Sequence, residues 1–91
     1  MAESREPLAV QVLGNPVVGN TVRAEVRGAA GQALELELLD SRGQVIDRQR
    51  TASAGVVETA SFEVGRQAAG VLLLRARTAQ QVQTVKVLKA D

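Results

Sequence analysis

The residues best placed to do chemistry are two glutamates, Glu35 and Glu37, two positions apart in the run "ALELELL" from Ala33 to Leu39. Carboxylates sharing a face can serve acid–base work or hold calcium. These two alternate with Leu34, Leu36 and Leu38, so the spacing predicts a half-buried strand with both glutamates pointing to solvent, paired with arginines on a neighbouring strand. Asp40-Ser41-Arg42-Gly43 follows directly. It lacks the repeated oxygen ligands of a calcium loop, while Asp at the first position and Gly at the fourth suit a type I turn, sometimes with a following bulge. Gly65 and Gly70 are spaced as in some phosphate loops, without the Lys-Ser/Thr that would hold phosphate and magnesium. Ser4, Ser41, Ser53 and Ser61 have no histidine to activate them, and the lysines, Lys86 and Lys89, sit at the far end of the sequence. Arg75 and Arg77 share a strand face and can meet either an anionic partner or glutamates across a sheet; the second is the simpler reading.

Composition narrows the chemistry further. The 91 residues contain no cysteine and no histidine, which removes disulfides, thiolate chemistry, the commonest general base and the commonest metal ligand. No catalytic residue, cofactor site or metal site is therefore expected. Phe62 is the one aromatic residue, too little for stacking platforms. A net charge of +1, with both signs scattered, argues against a nucleic-acid partner. Nothing approaches the roughly 18 apolar residues of a membrane span, so direct membrane insertion is not expected. "MAESREPLAV" is polar where a signal peptide needs a basic start and an apolar stretch; if the protein is exported, its signal is expected upstream of Met1.

These residues must be positioned by strands. Apolar residues alternate at Leu8, Val10 and Val12, at Val22, Ala24 and Val26, and at Leu34, Leu36 and Leu38. "QVIDRQRTA" reads as a polar edge strand, and "VVETASFEV" sets Glu58, Ala60, Phe62 and Val64 against Val57, Thr59 and Ser61. Turn signals recur at Asn15-Pro16, Gly19-Asn20, Gly28–Gly31 and Asp40–Gly43, roughly every 8–12 residues. The expected fold is all-β: an immunoglobulin-like antiparallel β-sandwich of about seven short strands. Residues 1–7 are expected to be a disordered segment, a linker or a cloning remnant, with one domain over 8–91. Leu36 and Leu73 are expected in its core.

Three elements, in order, resemble the C-terminal sorting domain of proteins exported by the type IX (Por) secretion system. They are Asn15-Pro16-Val17 after an opening strand, the strand–turn–strand "ALELELLDSRGQVI", and the ending "AAGVLLLRARTAQQVQTVKVLK". The resemblance spans about Leu8 to Lys89. Two positions depart from it: Leu72 stands where an aromatic is usual, and Leu13-Gly14 where Tyr-Pro is frequent.

The resemblance implies a non-catalytic signal at the end of an N-terminally fused cargo, carried via the periplasm to the surface of a Gram-negative bacterium or secreted from it. Its implied partners are the outer-membrane translocon and a sortase-like surface peptidase that removes the domain and anchors the cargo. The implied recognition elements are Gly70, Val71, Leu72, Leu73 and Leu74, with Lys86, Val87, Leu88 and Lys89; Asn15, Pro16, Asp40 and Gly43 are implied turn residues. A terminal strand of this kind can present its backbone edge to a partner. Lys86 and Lys89 are either read by that partner or simply keep the strand soluble. The alternative function is a generic immunoglobulin- or fibronectin-like spacer or adhesion module of a surface protein.

Overall fold

The computed structural model describes residues 7–90. The expected N-terminal segment over residues 1–7 therefore lies, apart from Pro7, outside the described residues, as does Asp91. The described residues contain no helix. They form strands β1 (Ala9–Leu13), β2 (Val17–Val18), β3 (Thr21–Arg27), β4 (Leu34–Leu39), β5 (Val45–Thr51), β6 (Val57–Glu63), β7 (Gly70–Arg77) and β8 (Val82–Ala90). Seven are proper strands and β2 is a two-residue stub. A three-stranded sheet, β1-β3-β6, lies against a five-stranded sheet, β2-β8-β7-β4-β5. Every named pairing is antiparallel except that β2 runs parallel to the end of β8. This is the expected immunoglobulin-like sandwich, and β5 is the edge strand its charged sequence predicts.

Strand parity decides which side chains fill the interior. β3 turns Val22, Ala24 and Val26 inward and β6 turns in Ala60 and Phe62, against Leu34, Leu36 and Leu38 of β4, Leu72, Leu74 and Ala76 of β7, and Val87 of β8. Each fully buried Leu, Val or Phe contributes about 1.5–3 kcal/mol over its exposed state. Leu73 does not belong to this set. Since Leu72, Leu74 and Ala76 point inward, Leu73 shares the outer face with Arg75 and is only partly buried. The run "GVLLLRAR" begins with uninterrupted apolar residues, so hydrophobicity alone does not fix its phase; the arginines do.

Two glycines make turns that other residues would not. At Gly28, φ is +90° and a Cβ would stand 2.3 Å from the Pro7 carbonyl oxygen, so only glycine lets the entering chain lie against the end of β3. Gly43, at φ +89°, completes the Asp40 turn. The Asp40 carboxylate accepts the Arg42 and Gln44 amides, both at 2.9 Å, and the Gly43 amide donates to the Asp40 carbonyl at 3.0 Å. The turn expected from D-x-x-G is therefore present, with a bulge in the β4–β5 pairing at Leu38/Leu39. The Asn15-Pro16 peptide bond is cis.

Candidate functional site

The outer face of the five-stranded sheet gathers most of the residues singled out above. Its centre is a guanidinium–carboxylate lattice across three strands. Register places Arg48 and Arg75 on either side of Glu37, and Arg50 and Arg77 on either side of Glu35. Nε and Nη2 of Arg48 lie 3.1 and 3.0 Å from Glu37 Oε2, while Nε of Arg75 is 2.9 Å from Oε1, where its Nη2 also bonds. Glu35 Oε1 accepts Arg77 Nη2 at 2.6 Å and its Oε2 accepts Arg50 Nε at 3.1 Å.

The pairing with arginines matches the expectation, but solvation does not. The Glu37 side chain is only 5% exposed and that of Glu35 only 16%, because the longer arginines fold over them. The arginines hold both carboxyls below the ordinary value of 4.5. For Glu35 the Arg77 hydrogen bond leads, followed by that of Arg50; for Glu37 the Arg75 bond leads, and partial desolvation works the other way in both. Arg77 is correspondingly raised, chiefly by its bond to Glu35. Carboxylates so fully paired are poor acids or bases. Their place is structural, and no group of metal-ligating side chains occurs among the described residues.

The nine residues implied for recognition come together in the β7–β8 hairpin, where Gly70 pairs with Lys89, Val71 with Leu88, Leu72 with Val87 and Leu73 with Lys86. They divide by parity. Leu72, Leu74 and Val87 are core. Val71 and Leu88, 40% and 44% exposed, stand side by side on the outer face, with Leu73 and exposed Lys86 beside them. Lys89, expected to be solvated, is 8% exposed: it shares the inward parity of Val85 and Val87, whereas Lys86 shares that of exposed Leu88, so the two lysines are not equivalent.

The backbone edge of β8 is also closed where an incoming strand was expected to pair. Asn15 accepts the Leu88 amide on its Oδ1 at 2.9 Å and donates Nδ2 to the Lys86 carbonyl at 3.3 Å, and β2 pairs beyond it. Accessible features here are side chains on the sheet face, not the strand edge. In sequence Asn15 reads only as a turn residue; no local signal marks a clamp that acts across 73 positions. Arg48 and Arg50 were not singled out either. Their signal was present, since R-Q-R has the same two-residue repeat as E-L-E and R-A-R.

Open depressions lie at the lattice and at the Asp40 turn. One, of about 680 Å³, lies between Arg50 and Arg77 over Ala33, Ala52 and Ala79. A smaller one, about 300 Å³, lies beside the Asp40 turn and the start of β7. No helix among the described residues is long and apolar enough to cross a membrane. Compared with known protein families and with curated proteins, the chain matches none.

Proposed function

We propose that this chain is a non-catalytic signal domain that directs a fused cargo through a type IX secretion system to the cell surface, where the domain is cleaved and the cargo anchored. The reading is supported by one observation above all. The first and last of the three elements that carry the resemblance are joined in space: Asn15 binds Lys86 and Leu88, and Val17-Val18 pairs with Lys89-Ala90. Elements at opposite ends of the sequence thus build one surface feature, centred on exposed Val71, Leu88 and Lys86.

Partner recognition in this reading uses side chains. The outer row of the hairpin meets the translocon, while Leu72, Leu74 and Val87 hold the hairpin on the core. Absence of histidine and cysteine, and the full pairing of the central carboxylates, favour a binding role over catalysis.

The test is to fuse residues 7–91 to the C-terminus of a folded periplasmic reporter in a strain carrying a type IX system and in its translocon-deficient counterpart. Protease-accessible reporter is expected on the surface of the first strain and not the second. Reporter retained in the periplasm of both, with the domain folded, would reject export and favour a spacer or adhesion module.

A further inference from the structure

We propose that the guanidinium face of the five-stranded sheet is a docking surface for an acidic polypeptide segment of a partner protein, centred on Arg48, Arg50, Arg75 and Arg77. The inference is independent of the export reading.

Charge carries the argument. Four guanidiniums meet two carboxylates, a surplus of two positive charges on a patch of a chain whose total is +1. The carboxylates are covered, but the guanidiniums are not: side chains of Arg50, Arg48, Arg77 and Arg75 are 77%, 52%, 45% and 35% exposed. Each arginine bonds a glutamate through only part of its five-donor fork. A partner approaching this face therefore meets cationic hydrogen-bond donors, with their counter-charges beneath them.

Geometry narrows the partner. Arg48 and Arg50, like Arg75 and Arg77, repeat every second residue, roughly 6.6–6.8 Å along a strand. An extended acidic segment with carboxylates at alternate positions has the same repeat, and β4 itself, E-L-E between R-Q-R and R-A-R, displays that match within the fold. The groove between Arg50 and Arg77 holds Glu35, already paired to both arginines, and widens over Ala33, Ala52 and Ala79, where an incoming carboxylate can reach the unpaired donors of the two guanidiniums. Exposed Val82 beside Arg77 supplies an apolar contact for the aliphatic stem of a glutamate side chain facing the sheet. Single-stranded nucleic acids share the charge but stack their bases on aromatic faces, and the sole aromatic, Phe62, is buried; sulfated sugars are separated by the comparison with heparin below.

The experiment uses the full chain and a fluorescein-labelled peptide of alternating Glu and Val, followed by anisotropy at low salt. Saturable binding that weakens as salt approaches about 0.3 M is expected. Replacing both grooved arginines, Arg50→Gln with Arg77→Gln, is expected to weaken it about tenfold or more, since charge-assisted pairs are lost. The same charge change on the opposite sheet, Arg23→Gln with Arg27→Gln, is expected to alter it less than about twofold. Arg50→Gln alone, at the most exposed position, provides a variant whose fold is least at risk and is expected to weaken binding several-fold. Absence of saturable binding to the wild type would overturn the proposal. So would equal losses from the two double variants, or tighter binding of heparin or a single-stranded oligonucleotide than of the peptide.

Discussion

At the scale of single residues, Glu37 shows how one carboxylate can organise a sheet face. Its Oε1 accepts Nε and Nη2 of Arg75, and its Oε2 accepts Nε of Arg48 with Nη2 of the same guanidinium 3.0 Å away, one arginine from each neighbouring strand. Exposed ion pairs add little to stability, but a covered carboxylate whose partners are all in register is different: removing it leaves cations facing each other. Glu37→Gln is expected to lower the denaturation midpoint more than Glu35→Gln, because Glu37 is the more covered; chemical denaturation of both variants is the check. The pH dependence follows from the depressed carboxyls. Such groups contribute stability that is fully present above the unfolded glutamate value of 4.5 and is lost as pH falls through their lower folded values. Wild-type stability should thus fall on acidification below about pH 4.5, and a Glu35→Gln/Glu37→Gln variant should show a shallower acid limb. An equally steep limb in the double variant would place the acid sensitivity elsewhere.

At the scale of elements, the question is how the edges of the five-stranded sheet are protected. On β5, Asp47 accepts the Arg48 amide at 2.8 Å; on β8, Asn15 closes the edge at Lys86 and Leu88. The Asn15 clamp makes a sharp prediction. Asn15→Ala should cost about 0.5–1.5 kcal/mol and speed exchange of the Leu88 amide, whereas Asn15→Asp keeps an acceptor for that amide and should preserve its protection. Hydrogen exchange read by NMR decides it; equal exchange in the two variants would mean the side chain does not hold the strand. Gly28 is the second device. Because both φ and the nearby Pro7 carbonyl exclude a side chain, Gly28→Ala should destabilise by well over about 1 kcal/mol, which thermal unfolding measures.

Element boundaries were largely legible in sequence, because alternation at Val22–Val26 and Leu34–Leu38 encodes parity directly. "GVLLLRAR" was not legible from hydrophobicity, and only the phase of Arg75 and Arg77 puts Leu73 outside. The burial of Glu37 and Lys89 was hidden for other reasons. Glu37 is covered by arginines from two other strands, a consequence of register that no local pattern carries; Lys89 follows the parity of Val87, which its charge masks in sequence.

At the scale of the whole molecule, one thin core supports two quite different outer surfaces. Leu36→Ala, which opens a cavity between the sheets, should cost about 2–5 kcal/mol, while Leu73→Ala on the outer face should cost no more than about 1 kcal/mol. Comparable losses would mean that the hairpin is packed with the opposite phase. In the proposed export role that division of labour serves recognition: inward residues hold the hairpin on the core, and its outward row remains available. It also rules out truncation as a clean probe, because removing residues 86–91 would take Val87 out of the core as well.

The most direct test is therefore surface display of a reporter fused to two triple variants with equal thermal stability. Val71→Ser/Lys86→Ser/Leu88→Ser alters the outer row of the hairpin, and Leu13→Ser/Arg23→Ser/Val57→Ser alters the opposite sheet. Loss of surface reporter with the first and wild-type display with the second is the predicted result; unchanged display with the first would contradict recognition through the hairpin face.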